Sequence, residues 1–511
     1  MAERSKNVWV TVRHIAASDR ISGLIMLGFA LLGLVLANVP LTADVFAHIA
    51  ETHVAVPYTN IDLPVGHWAQ DGLLTAFFLV VGLDLKQELT TGSLSNPKAA
   101  AVPMLCAVGG MLVPPVLFLG VTWLYSEFAP PAPGYQIIAS GEVVDYATVA
   151  QGWAVPTATD IAFSLAVLAL FAKALPGSIR AFLMTLATVD DLLAIILIAV
   201  FFSSLSDWYW FVGIAACAAA WSYLVRMKRV PWLVAGFVGI LAWIMMFEAG
   251  VHPTLAGVLV GLLTPSREMH GEKTARTERY YNKLQPLSAL VALPVFALFA
   301  TGVRFSSLTP ALMVSPVVVG IVVALVVGKP VGIISTAWIA THAAGLKLAK
   351  GLCVRDLVPA ACACGIGFTV SFLIASLAYA DTELSAESRF GVLVASLIAA
   401  CVSGILLSRQ SKRFEREARR TELAGAARHG DADDDGLGAE REHRLTDGTV
   451  TMSMPAFTPE FIAKFRAAHP RHPKRTLPDG DDAAQPTTAN ESARQSSGAK
   501  PRRFRIRGRK R

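Results

Sequence analysis

The sequence predicts an all-α polytopic membrane protein of about twelve transmembrane helices. Three observations predict it. Of 511 residues, 54% are hydrophobic and only 16% are charged. Apolar runs near the roughly 20 residues that a spanning helix needs recur from residue 20 to residue 409. The basic residues between those runs gather in alternate loops.

Twelve runs qualify, near 21–37, 71–85, 99–125, 152–172, 179–202, 208–225, 231–247, 251–264, 286–303, 311–340, 356–379 and 390–408. With a cytoplasmic N-terminus, the inside loops hold fifteen Lys and Arg residues, from Lys86 to Arg355. The outside loops hold only Arg304 and Arg389. Such a positive-inside bias places both termini in the cytoplasm. An odd number of missed helices would have scrambled it.

The segments outside the runs divide the chain further. Residues 1–19 form a polar N-terminal arm with amphipathic character and no small-residue cleavage site, so it reads as a retained cytoplasmic arm. Residues 20–409 form the transmembrane domain. The outer loop 38–70 lacks Lys and Arg, and its VAVPYTNIDLPVG stretch fits a short hairpin. The loop 126–151 is Pro-rich and acidic. Residues 410–511 are rich in Ala, Asp, Gly, Pro, Ser and Arg and read as a mostly disordered cytoplasmic tail. Within it, Thr458–His469 suits a short amphipathic helix, and the terminal RRFRIRGRKR suits contact with anionic lipid. A solvated, functionally silent tail is the plainer reading of both.

The formal net charge is +7. From Ser411 onward there are 22 basic and 15 acidic residues, which leaves the rest of the chain neutral. The charge therefore argues for no nucleic-acid partner of the core. The six cysteines lie in or beside apolar segments, and no outer-loop pair suggests a disulfide. Cys362 and Cys364 have C-x-C spacing without a further ligand cluster, so they read as small packing residues.

Chemistry concentrates in the fifth run, IRAFLMTLATVDDLLAIILIAVFF. Asp190 and Asp191 sit in its middle. Burying one ionised group at that depth costs at least ~2.5–3.5 kcal/mol, and intramembrane carboxylates usually mark ion paths. A structural ion pair or a water-lined packing defect is the plainer alternative. Two other runs look broken. In GWAVPTATDIAFSLAVLALF, Pro156 removes a backbone donor, and Thr157, Thr159 and Asp160 supply oxygens. In ACACGIGFTVSFLIASLAY, Gly365 and Gly367 weaken the helix, and Thr369 and Ser371 follow. Non-helical backbone at membrane depth survives where it lines a cavity or is buried in protein. Each broken end carries about half a unit of partial charge. Asp160 can neutralise facing N-terminal ends, and a cation facing C-terminal ones. Ordinary Pro and Gly kinks are the alternative.

Lys329 lies deep in the tenth run, where an ammonium needs a carboxylate partner or a lowered pKa. Adjacent helix positions point about 100° apart, so Asp190 and Asp191 cannot easily share a face. The simplest division pairs one with Lys329 and turns the other to a cation. A purely structural bridge is the alternative. Asp71 and Asp84 bracket the second run, and His252 lies in GVHPTLAG; each also suits an ordinary helix-end or packing role.

These residues resemble the NhaA-type sodium/proton antiporter family. The matching strings are FFLVVGLDLKQEL, GWAVPTATDIAFSLAVLAL, LATVDDLLAIILIA, GVHPTLAGVLVG, VVGKPVGI and CGIGFTVSFLIASLA, in that order, over roughly residues 10–409. The resemblance implies inverted repeats and two crossed discontinuous helices, an architecture already described for this family. It implies a site for transported Na+ at Asp190 and Asp191, with Thr159 and Asp160 at the crossing and Lys329 bridged to Asp190. It places Asp84 at an inner funnel, Asp71 toward the outer side, and His252 at a position linked to pH response. It implies electrogenic exchange of Na+ or Li+ for H+ in the cell membrane, serving sodium extrusion and pH homeostasis. A homodimer is also implied, while cofactors and enzymatic activity are not. The chain departs from the family at YYNKLQP (Tyr280–Pro286), where relatives carry an acidic residue and His-Pro, and at FALFATGV, which lacks the usual Asn. Three other classes compete, and one of them, a non-transporting sensor, would account for the long tail. A passive cation channel would use the same ligands. An intramembrane aspartyl protease would need Gly-x-Gly-Asp, but Phe368 follows Gly367.

Overall fold

A computed structural model describes residues 19–430 apart from residues 58, 60, 129–134, 137–142, 173–174, 205–206, 305–314, 350–351, 381 and 383. Most of the N-terminal arm and residues 431–511 of the tail, with both tail motifs, therefore lie outside the described residues.

The fold is helical and begins with α1 (Asp19–Asn38) and the short helix α2 (Ala43–Glu51). A hairpin follows, with β1 (His53–Ala55) antiparallel to β2 (Asp62–Pro64) and Val54 opposite Leu63. It occupies the outer loop where turn residues and alternation predict it. Next come α3 (Val65–Thr90) and α4 (Pro97–Phe128). The bent pair α5 (Tyr146–Thr157) and α6 (Ile161–Phe171) leads to α7 (Gly177–Phe201). Three shorter apolar helices follow: α8 (Tyr209–Leu224), α9 (Trp232–Glu248) and α10 (Leu255–Leu263). The chain then forms α11 (Arg276–Ala300), α12 (Pro316–His342), the bent pair α13 (Val354–Ala363) and α14 (Phe368–Ala378), and α15 (Leu384–Gly430).

Among the described residues, seven helices are long and apolar enough to cross a membrane, and nine spans result if each bent pair counts as one. Leu112, Val116, Leu233, Phe237 and Leu397 are all more than 60% exposed. Large apolar side chains exposed in this number suit lipid rather than water. The chain is a multi-pass membrane protein.

Three local features shape the bundle. A π turn interrupts α11 at Ser288–Ala292 and α12 at Ala324–Gly328. Each lies just ahead of a proline, Pro294 or Pro330. Proline offers no N–H and crowds the carbonyl four residues back, so one wide turn relieves the clash. The third π turn, Trp68–Leu73 in α3, precedes no proline. Close approach of α3 and α10 depends on glycine: a Cβ on Gly261 would lie 2.6 Å from the backbone of Gly82, and one on Gly82 would lie 2.8 Å from the Val258 carbonyl. Small residues let helix backbones touch where lipid supplies no hydrophobic drive. Finally, α15 does not end at the expected tail boundary. It runs through Gly430, because KRFEREARR is made of helix formers and Arg413 pairs with Glu417 one turn on (2.8 Å).

Candidate functional site

The two breaks lie against each other. The tight last turn of α5 carries Pro156 and ends at Thr157, and the backbone is extended at Ala158. α13 ends at Ala363, and Cys364–Gly367 leads into α14. Gly365 is required by proximity to α12, since a Cβ there would sit 2.6 Å from the Leu325 carbonyl oxygen. Across the breaks, Asp160 N–H donates to the Ile366 carbonyl (2.7 Å). Thr159 Oγ1 donates to the Cys364 carbonyl (2.9 Å), and Ser164 Oγ to that of Ala363 (2.8 Å). Unwound carbonyls that lipid cannot satisfy are thus met by hydroxyls and an amide of the partner segment. Tyr379 Oη, just after α14, donates to the Val149 carbonyl of α5 (2.6 Å), tying the far ends together.

Charge fits the helix ends. Asp160 caps two N-termini at once: Oδ1 accepts from Phe163 N–H (2.9 Å) in α6, and Oδ2 from Thr369 N–H (3.2 Å) in α14. Both ends carry positive partial charge, which a carboxylate complements. The Lys329 ammonium sits at a negative end, donating to the Thr157 carbonyl at the close of α5. It also donates to both oxygens of Asp190, at 2.8 and 3.1 Å. Lys329 and Asp190 are 0% and 1% exposed in their side chains. A buried ion pair persists when further hydrogen bonds satisfy its members, and Thr157 supplies one.

Asp191 faces elsewhere. It lines a cavity of about 240 Å³ together with Asp84, Thr159, Asp160, Thr188 and Thr369. Neither Asp190 nor Lys329 lines that cavity. The 100° offset between neighbours thus becomes two roles in space, one carboxylate tied to an ammonium and one open to the chamber. The remaining walls include Ser22, Met26, Phe77, Tyr281 and Gln285. The stretch Tyr280–Pro286, where the chain departs from the expected pattern, therefore borders the same chamber.

Asp71 and His252 form a separate pair. His252 Nε2 is 3.5 Å from Asp71 Oδ1, and its Nδ1 is 2.6 Å from Thr254 Oγ1. Asp71 stands on the π turn of α3, and its carbonyl accepts from Trp243 Nε1 (3.0 Å). Neither residue lines the chamber of Asp191. Sequence reasoning singled out both without pairing them. It missed Ser164 and the Thr157 carbonyl; for Ser164 the available signal was a hydroxyl one helical turn beyond Asp160.

Carboxylates and threonine hydroxyls set in the wall of a partly open, otherwise largely apolar chamber are the ligands a hard, dehydrated cation takes. Similarity to known proteins agrees. A family model described as Na+/H+ antiporter 1 matches residues 13–144 and 129–407. The chain is 75% identical over 418 residues to the Na+/H+ antiporter NhaA of Bifidobacterium longum, covering 82% of this chain and 89% of that one. It is 70% identical over 453 residues to the protein of that name from Bifidobacterium adolescentis, covering 89% and 98%. A more distant relative, Na+/H+ antiporter NhaA 1 of Kineococcus radiotolerans, is 37% identical over 423 residues, covering 81% and 93%.

Proposed function

The chain belongs to the Na+/H+ antiporter 1 family, and on that premise we propose that it exchanges sodium ions for protons across the cell membrane, extruding sodium and holding internal pH. The observation that carries the site assignment is the split between the two aspartates. Asp190 is engaged by Lys329 while Asp191 opens to the chamber with Asp160, Thr159 and Asp84.

The proposed cycle follows from competition. In an empty site, neighbouring buried carboxylates cannot all be ionised cheaply, so protons occupy them. Na+ or Li+ entering the chamber takes the oxygens of Asp191, Asp160 and Thr159 and displaces those protons. Asp190 turns to the ion, and Lys329, losing its partner, releases a further proton. The site crosses the membrane carrying protons or a cation, never empty, and that rule couples the two fluxes. More protons than sodium ions per cycle makes the exchange electrogenic; at 100 mV each net charge supplies about 2.3 kcal/mol. Asp84 draws cations through the inner funnel. Asp71 with His252 acts on the outer side in the pH response.

The finer architecture belongs to the same proposal. α8, α9 and α10 stand where the sixth, seventh and eighth spans are expected, which with the nine spans above makes twelve. The two bent pairs cross at the site as halves of inverted repeats, with α5 and α13 entering from opposite sides. The loop charges put both termini in the cytoplasm, and a homodimer is the expected assembly. Alternating access comes from one helix bundle rocking against another around the site.

The test uses everted vesicles loaded with a pH-sensitive dye. Pulses of Na+ or Li+ should release protons only with matched counter-flux of the pulsed cation, and Asp191→Asn should abolish the response while the protein remains folded. Na+ flux without obligatory H+ flux would make the protein a channel, and normal exchange by Asp191→Asn would remove this site from the mechanism.

A further inference from the structure

Helix α15 holds the broken segment α13–α14 at two levels. At the break, Ser396 Oγ accepts from Phe368 N–H (3.3 Å). At the opposite end of α13, Gln410 Nε2 donates to the Asp356 carbonyl (2.8 Å) within the buried interior. Arg413 Nη1 lies 3.9 Å from Asp356 Oδ1, and Phe414 packs against the hydrophobic core. Asp356 in turn builds the first turn of the segment. Its carboxylate accepts from Cys353 N–H (3.0 Å), and its own N–H donates to the Cys353 carbonyl (2.9 Å).

Residues 410–414 lie past the last apolar run, where composition alone places the start of a tail. Yet they grip the foot of a short helical segment. α13 spans Val354–Ala363 as a 3-10 turn (Val354–Leu357) that runs into an α-helix (Val358–Ala363), about 17 Å at 2.0 and 1.5 Å per residue. Its far end carries the Ala363, Cys364 and Ile366 carbonyls that meet Ser164, Thr159 and Asp160. A short helical segment held at both ends passes a shift of its foot to those carbonyls. Gln410 is uncharged and does not line the chamber, so it adds nothing to ion chemistry directly. Arg413 is exposed, and a surface pair of this length contributes little; the buried amide of Gln410 is the principal grip.

We propose that Gln410, supported by Arg413 and Phe414, is a positioning residue that seats α13 and thereby sets the sodium affinity of the site, a role that rests on the site reading above. The experiment uses the full chain in everted vesicles with two readouts. Sodium titration of the dye response should show the apparent KM for Na+ rising roughly threefold to tenfold in Gln410→Ala, with the maximal rate kept within about twofold. Arg413→Glu, a surface change that repels Asp356, should move KM the same way, whereas Arg413→Lys should match the wild type. The second readout is independent of transport. Cys353 is exposed beside the grip, and its labelling by a membrane-impermeant maleimide, mapped by mass spectrometry, should be faster in Gln410→Ala and Arg413→Glu. Unchanged KM and unchanged labelling in both variants overturns the proposal. A wild type without any Na+ response sinks the exchange reading instead, and the labelling still decides whether Gln410 seats α13.

Discussion

Lys329 shows how much one buried side chain does here. Its ammonium satisfies a carboxylate and a helix-terminal carbonyl at once. Lys329→Ala leaves both without a donor in a region closed to water, and removal of one member of a buried pair costs about 3–5 kcal/mol. A thermal melt in detergent should therefore fall well below the wild type. Replacing both partners by apolar residues, Lys329→Met with Asp190→Leu, should recover most of the loss, since no orphaned charge remains. If the single variant melts with the wild type, the bridge is not structural. That Lys329 needs either a carboxylate or a lost proton was legible from sequence, because an unpaired ammonium is costly so deep in an apolar run. The Thr157 carbonyl was not, since a backbone acceptor leaves no mark on residue type. The pairing of Asp71 with His252 was equally hidden: both were visible as polar residues near span ends, but only the π turn in α3 and the chain reversal before α10 bring them together.

Elements position these residues by contact between backbones. α3 carries Asp84 along the chamber wall, and α10 rests on α3 through Gly82, Gly257 and Gly261. A methyl at Gly257 would land on the Thr75 carbonyl oxygen. Overpacking of this kind costs about 1–3 kcal/mol, so Gly257→Ala should lower the melting temperature. The control is Gly236→Ala on α9, where a Cβ meets nothing within 4 Å. There the helix propensity of alanine, worth up to about 1 kcal/mol, should leave stability unchanged or raised. Equal melting of the two variants would refute the glycine contact. At this scale the sequence was legible wherever a residue type forces a backbone state. Pro156 marked one break, and Gly365 with Gly367 the other. The hairpin showed through its alternation and turn residues. The boundary at residue 409 was legible as the end of an apolar run but not as the end of a helix, because charged helix formers such as Lys412–Arg420 extend α15 without any change in backbone state.

Over the whole molecule, the exchange reading makes stability a property of the ions present. A ligand that binds only the folded chain stabilises it by about 2.7 kcal/mol at a hundred times its dissociation constant. On the proposed site, protons and Na+ contend for the same oxygens on Asp191 and Asp160, so proton occupancy weakens Na+ binding. Lowering the pH must therefore shrink the stabilisation by Na+, and raising it must enlarge that stabilisation until the site is free of protons. Melting curves at fixed ionic strength, with choline replacing Na+, should separate at alkaline pH and converge at acidic pH. Asp191→Asn should remove the separation at every pH, because the carboxylate that faces the chamber is gone. Lys329→Met with Asp190→Leu should retain part of it, since Asp191, Asp160 and Thr159 still line the chamber. A sodium-dependent shift that is the same at every pH, or one that survives Asp191→Asn, would mean that Na+ binds somewhere else and that protons do not compete with it there.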